Sequence, residues 1–256
     1  MIVSWSRRFF FLHNRKTAGS SISVSLSRYL GPEDLQLSAI PETVGLGLPL
    51  TARVLREANA EAHGFLPLFR LFGSRIYGRA IARSIDHAWR PRLGRKPPHA
   101  PAAVVRDAFP DEWARFTKFC VVRNPWDKTV SDYFWRIKGL RNPPDFPTYV
   151  RALAEGDPLG GVVPVDIHDN WPLYTIDDRI VADAVIRFET LTDGLSGLLP
   201  GLGIDWDGWL PRAKGSVRKA GGSGGSGGYR DLYDTETRAI VGRLYAREAE
   251  AFGYAF

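Results

Sequence analysis

The chain predicts an α/β fold with a central, mostly parallel sheet and helices on both faces, and three segments carry that prediction. Each is a short apolar run followed at once by a polar turn: residues 8–12 before His13, residues 118–122 before Arg123, and residues 184–188 before Glu189. Apolar runs of this length bounded by turn residues read as buried strands. Shorter strands are expected beside them but have no clear sequence signal.

The first segment carries the most chemistry. Phe9-Phe10-Phe11-Leu12 runs into His13-Asn14-Arg15-Lys16-Thr17-Ala18-Gly19-Ser20-Ser21, and Ile22-Ser23-Val24-Ser25-Leu26 begins a helix. A strand, a turn of small residues and a helix N-terminus make an anion cradle, because unpaired N–H groups and the positive end of the helix dipole point at one spot. A phosphorylated ligand is the expected occupant. The common triphosphate loop sets its lysine after the last glycine. Here Lys16-Thr17 precedes Gly19 and no glycine comes earlier, which disfavours an ATP or GTP loop. The plainer reading is an ordinary turn whose serines cap the helix.

The second segment adds a different pair of groups. After Lys118-Phe119-Cys120-Val121-Val122 comes Arg123-Asn124-Pro125-Trp126-Asp127-Lys128-Thr129-Val130-Ser131-Asp132-Tyr133. Asn124 is the expected N-cap, with Pro125 at the first helical position. Val130, Phe134 and Ile137 then share one helical face. Arg123 leaves the C-terminal end of a strand, where open α/β sheets place ligands. An arginine fork with the Ser131 hydroxyl suits a phosphate monoester. The alternative is that Arg123 only pairs with a nearby carboxylate such as Asp127.

Together the two segments resemble the sulfotransferases that use 3′-phosphoadenosine 5′-phosphosulfate (PAPS), in particular the carbohydrate sulfotransferase branch. That family opens on H-I-P-K-T-A-G-[ST]-S, against residues 13–21 here, and continues with V-R-N-P-W-[DE]-R-x-V-S-x-Y, against residues 122–133, where Lys128 replaces the usual arginine. Ala184-Val185-Ile186-Arg187-Phe188-Glu189-Thr190-Leu191 resembles a third element, R-F-E-x-L. Tyr229-Arg230-Asp231-Leu232-Tyr233 and the closing Phe252-Gly253-Tyr254-Ala255-Phe256 fit as well. The resemblance skips residues 38–98. It also departs at Asn14-Arg15, where the family has Ile-Pro and a proline would stiffen the loop.

The resemblance implies a P-loop-like three-layer sandwich with a helical, basic insertion, forming a single domain over residues 1–256. It implies that Lys16, Thr17, Ala18, Gly19, Ser20 and Ser21 hold the 5′-phosphosulfate, and that Arg123 and Ser131 hold the 3′-phosphate. Arg15, where the family has proline, adds a charge beside this site that either touches the cofactor or points to solvent. Lys16 would stabilise charge on the leaving bisphosphate. Sulfuryl transfer is an in-line displacement governed by positioning and charge stabilisation. No metal is required in that scheme. A base should take the acceptor's proton, and of the five histidines His99 is the expected one, as relatives place a histidine just upstream of the second signature strand. His13 is expected to orient the loop. Asp107, Glu112 or Asp166 would be alternative bases.

Composition agrees with one enzyme domain. The chain of 256 residues is 44% hydrophobic and 12% aromatic, enough for a sizeable core. A lone Cys120 in an apolar strand excludes an internal disulfide framework. No apolar stretch reaches the roughly 18–20 residues that span a bilayer, and Phe9–Leu12 is too short for a signal peptide. Eukaryotic relatives are usually Golgi-anchored, so the expectation is a bacterial cytoplasmic enzyme.

A net charge of +6 and a pI near 9.5 favour anionic ligands, without implying nucleic acid. The excess is local: from Ala62 to Ala100, Arg70, Arg75, Arg79, Arg83, Arg90, Arg92, Arg95 and Lys96 face only Asp86. Ile76, Ala80, Ile81, Ile85 and Trp89 repeat there at helical spacing, with Arg75, Arg79 and Arg83 on another face. A solvated basic face is the plain reading, and an anionic glycan acceptor or acidic membrane surface the sharper one. Acceptor specificity is expected to reside in this insertion.

Residues 221–228 form a perfect glycine-serine repeat with no packing face, the composition of an engineered linker replacing a loop. Just before it, Lys214, Ser216, Arg218 and Lys219 correspond to the relatives' basic residues near the 3′-phosphate, Arg218 foremost. Residues 104–113 and 235–252 read as helices. Two other function classes compete. A nucleotide-dependent kinase explains the first loop only and needs a magnesium ligand such as Asp183. A nonenzymatic polyanion-binding module explains the arginines but not the paired loops. The acceptor, whether sugar hydroxyl, phenol, amine or lipid headgroup, and the oligomeric state have no signature in the chain; Trp126, Trp135 or Trp171 would suit stacking on a sugar, though tryptophans are more often core residues.

Overall fold

A computed structural model describes residues 1–213 and 228–256. Its strands are β1 (Ile2–Ser4), β2 (Phe9–Leu12), β3 (Leu35–Gln36), β4 (Thr117–Val122), β5 (Thr175–Ile176), β6 (Arg179–Ile180) and β7 (Ala184–Arg187). Its helices are α1 (Gly19–Ser27), α2 (Ile40–Gly45), α3 (Ala52–Glu61), α4 (Ser74–Leu93), α5 (Ala102–Ala108), α6 (Pro110–Arg115), α7 (Pro125–Ile137), α8 (Phe146–Glu155), α9 (Leu191–Leu198), α10 (Thr235–Leu244) and α11 (Ala246–Phe252). The described residues form two compact units, one of residues 1–122 and 172–213, the other of residues 123–171 and 228–256. No helix among them is long and apolar enough to cross a membrane.

The first unit is an α/β assembly on a five-stranded sheet ordered β3-β1-β2-β4-β7. β2 pairs in parallel with β4 (Phe11 opposite Phe119), and β4 with β7 (Phe119 opposite Ala184). β1 runs antiparallel to both β2 and β3, so the sheet is mixed, with parallel pairing confined to its β2-β4-β7 half. The cause is local. Trp5-Ser6-Arg7-Arg8 is too short for a crossover, so β1 and β2 can pair only as a hairpin. Asp34 holds that hairpin, accepting from Ser4 Oγ at 2.7 Å, the Ser6 backbone N–H at 2.9 Å and the Gly31 N–H at 2.8 Å.

The unbroken Phe9-Phe10-Phe11 run follows from burial on both faces. Phe9 and Phe11 join Phe119, Val121 and Ile186 against Ile22 and Leu26 of α1 and Leu191, Leu195 and Leu199 of α9. Phe10, pointing the other way, meets Phe109 at 6.0 Å and Trp113 at 5.6 Å between ring centres. The basic insertion is helical, and α4 crosses α2 where Gly78 leaves room: a Cβ there would lie 2.9 Å from Pro41 Cα.

Several expected boundaries shift. α1 begins at Gly19 rather than Ile22. The run over 104–113 is two helices, because Pro110 cannot continue the first and Phe109 leaves the helical region before it, at φ −139° and ψ 57°. Residues 235–252 likewise divide into α10 and α11 at Tyr245. On α4 the buried positions are Gly78, Ile81, Ile85, Trp89 and Leu93, while Ile76 is exposed.

In the second unit Asn124 caps α7 as expected, its Oδ1 accepting from the Trp126 N–H at 3.1 Å. Trp126, Val130 and Tyr133 of α7 pack with Phe146, Tyr149 and Val150 of α8 and with Ile240, Val241 and Tyr245. Lys128, which stands where the resemblance has arginine, is buried: Nζ donates to the His168 carbonyl at 2.9 Å and sits 4.0 Å from the Tyr245 ring centre. Burial pushes the Tyr149, Tyr233 and Tyr245 hydroxyls well above the ordinary tyrosine range.

Two outcomes follow from this packing. Phe119→Ala, which opens a cavity between α1 and the sheet, is expected to cost about 3–5 kcal/mol in chemical denaturation. The raised tyrosines keep their protons when folded but ionise near pH 10 when unfolded. Their contribution is therefore intact below about pH 10 and lost as pH rises further. Thermal melts across that range should show Tm falling from there upward.

Candidate anion-binding site

The loop between β2 and α1 is built from buried polar bonds. Asn14, fully buried, donates its side-chain amide to the Val121 carbonyl at 2.9 Å, which ties the loop to the end of β4. Thr17, also fully buried, donates its hydroxyl to the Asn14 carbonyl at 3.0 Å. Between and beyond these anchors φ is +65° at Lys16 and +62° at Ala18 but not positive at Arg15 or Thr17. Alternation of φ sign along a short loop is the backbone pattern from which anion nests are built.

Ala18 is the N-cap of α1 and offers no side-chain acceptor, so the first-turn N–H groups have no side-chain cap. Ser20 and Ser21 lie inside the helix rather than capping it, and Ser21 Oγ accepts from the Ala213 N–H at 3.4 Å. The first turn contains no acid. Arg15, Lys16 and Ser20 are half-buried.

His13 and His99 support this loop. The His13 ring stacks on Phe11, centres 5.6 Å apart, and lies hard against Gly19: a Cβ there would come within 1.9 Å of His13 Cδ2. His99, in the turn Pro97–His99, donates from Nδ1 to the His13 carbonyl at 2.7 Å. A carbonyl only accepts, so Nδ1 carries a proton, and in the neutral form of the ring the lone pair is then on Nε2. His99 therefore reaches the loop, with Nδ1 as its donor.

Beside the loop lies a cavity of about 490 Å³ lined by Ala18 and Ser21 together with Phe188, Glu189, Asp193 and Arg212, among others. An aromatic ring and two carboxylates suit a nucleoside better than a phosphate, because carboxylates accept from hydroxyl and amino groups. Sequence reasoning reached Phe188 and Glu189 but assigned them only to a strand end and a turn. Leu210, Pro211 and Arg212 gave no signal, since their place in the lining depends on the path taken after α9.

Arg123 belongs to the second unit. Its Nε and a terminal nitrogen both meet Asp127 Oδ2, at 2.7 and 2.6 Å, with both side chains largely buried. The carboxylate pairing left open by the sequence is thus formed. Asp127 and Ser131, four residues apart, share one stripe of α7, which begins two residues after Arg123. Arg218, with Lys214, Ser216, Lys219 and Gly221–Gly227, lies outside the described residues.

Three carboxylates are the alternative bases. Glu112 Oε1 accepts from Trp5 Nε1 at 2.9 Å, and Asp107 pairs with Arg106 at the surface; Asp166 belongs to the second unit. Asp183, the magnesium ligand that a kinase would need, precedes β7 at the end of the parallel strands opposite the loop. It is engaged there by the Lys118 N–H at 2.8 Å and Nζ at 2.9 Å.

No family model, curated protein or solved structure matches the chain.

The contact of His13 with Gly19 is directly testable. Gly19→Ala forces the ring aside and is expected to cost about 1–3 kcal/mol, or several degrees in Tm. A His13→Ala/Gly19→Ala double variant should recover much of that loss relative to the sum of the single changes, as read by a double-mutant cycle on Tm.

Proposed function

We propose that the chain is a PAPS-dependent sulfotransferase on a P-loop-like three-layer sandwich, bacterial and cytoplasmic, acting on a hydroxyl in preference to an amine, with a carbohydrate the favoured acceptor. The observation that carries this reading is the loop at residues 13–21. Its lysine precedes the glycine, its φ values alternate in sign, and a histidine with Nδ1 protonated stands against it. PAPS supplies the sulfuryl group, which passes to the acceptor oxygen as its bond to the 5′-phosphate breaks.

The chain's own residues then have distinct tasks. The N–H groups around Lys16–Ser21 bind the 5′ end of the nucleotide, and Lys16 offsets charge that grows on the leaving oxygen. His99 takes the acceptor's proton on Nε2, and its Nδ1–H bond to His13 keeps that nitrogen basic. The cavity beside Ala18 and Ser21 takes the nucleoside, with Glu189 and Asp193 accepting from its hydroxyl or amino groups. Arg123 and Ser131 bind the 3′-phosphate, a role that rests on the sequence resemblance.

The test is a thermal shift with adenosine 3′,5′-bisphosphate against ADP plus magnesium. At a hundredfold excess over Kd the bisphosphate is expected to raise Tm by roughly 5–10 °C. Arg123→Ala should lose most of that shift while staying folded by circular dichroism. Equal or greater stabilisation by ADP would reject the reading and favour a kinase. His99→Asn, whose amide nitrogen stands in for Nδ1 and still donates to the His13 carbonyl, should leave the bisphosphate shift in place and lower kcat for sulfuryl transfer by about 10²–10⁴-fold.

A further inference from the structure

The basic insertion presents a surface that nucleotide chemistry does not use. After α3 the chain forms a 3₁₀ turn, Leu66–Phe72, and then enters α4. Leu66 is buried and fastens this turn, yet its neighbours face outward: Phe65 is 61% exposed, Leu71 82% and Phe72 65%, with Leu68 and Ile76 also exposed. Soluble surfaces carry single exposed apolar residues routinely, but a contiguous stretch of large ones marks a contact surface.

Arginines border the same stretch. Arg70, Arg75, Arg79 and Arg83 are all exposed, and none makes an ion pair among the described residues. Arg75, Arg79 and Arg83 recur every four residues and so form one stripe of α4, away from the face buried by Gly78, Ile81, Ile85 and Trp89. The nearest acid on the helix, Asp86, is half-buried, and burial pushes its carboxyl pKa up, which weakens it as a counter-charge.

We propose that residues 65–83 dock the protein on an anionic lipid bilayer, with Phe65, Leu68, Leu71 and Phe72 entering the interface and the arginines meeting lipid phosphates. The arrangement is that of an interfacial segment, in which apolar side chains sink into the headgroup boundary while basic ones snorkel to the anionic surface. Charge disfavours the simplest competitor. A symmetric contact between two copies would set the same arginine stripes against one another, whereas a bilayer of anionic lipid complements them. The proposal is independent of the sulfuryl-transfer reading.

Flotation of the full chain with vesicles tests it. Phosphatidylcholine vesicles containing one part in four phosphatidylserine should carry the protein at low salt, at least about tenfold better than phosphatidylcholine alone, and added salt should weaken the binding. Leu71→Ser/Phe72→Ser should lower binding by about tenfold or more at unchanged Tm, because both side chains are exposed in the free protein. Arg75→Gln/Arg79→Gln/Arg83→Gln should abolish the preference for phosphatidylserine. Failure to float with the anionic vesicles would overturn the proposal, as would undiminished binding by the Leu71/Phe72 variant. Lipid-free self-association that the same variant abolishes would assign the surface to a second copy instead.

Discussion

The hydrogen bond from the Asn14 amide to the Val121 carbonyl is the contact on which the candidate site depends. It joins the end of β2 to the end of its parallel neighbour β4, so the loop leaves the sheet from a fixed point. Thr17 returns to the Asn14 carbonyl, and His99 holds the carbonyl of His13. Each bond satisfies a polar group removed from water, and losing one partner leaves the other buried and unpaired at a cost of about 1–3 kcal/mol. Positive φ at both Lys16 and Ala18 is costly for residues with a Cβ. These bonds over-determine the loop and hold it in that conformation.

That arrangement also accounts for the departure at Asn14-Arg15. A proline at position 15 would restrict φ through its ring. Here stiffness comes from side-chain hydrogen bonds. Asn14 does through the Val121 carbonyl what the ring would do covalently, and position 15 remains available for a half-buried arginine beside the cradle. Lys128 shows a similar replacement with a different result, since its ammonium is spent on the His168 carbonyl and the Tyr245 ring inside the second unit.

The strands most readable in the sequence were those buried on both faces, because β2 and β4 are continuous apolar runs and the bend at Asn124-Pro125 announces its own helix. β1 and β3 were not readable. They are three and two residues long, too short for periodicity, and their antiparallel pairing depends on Asp34 collecting donors from a hairpin. The breaks at Phe109 and Tyr245 interrupt apolar patterns that continue across them, so spacing alone runs the helices together. Within the site, the motif residues of the loop were visible as residue types. The fit of Gly19 under the His13 ring was not, since it depends on side-chain direction across a turn. The cavity wall from Leu210 to Arg212 likewise arises from tertiary routing with no local signature.

The pairing of Arg123 with Asp127 is compatible with a phosphate-binding role, and it sets a condition on that role. The carboxylate fixes a long side chain by binding two nitrogens of its fork with one oxygen, so little rotamer entropy remains to be lost when an anion arrives. The same carboxylate cancels much of the arginine's field, and an anion must then be held by directed hydrogen bonds more than by net charge. A group with several oxygens in a fixed tetrahedral array satisfies that requirement better than a diffuse polyanion does. Oriented donors of this kind suit selective binding of a phosphate monoester, whereas the unpaired arginines of α4 suit an extended charged surface. The chain keeps these two kinds of cation on different elements, and the local carboxylates distinguish them.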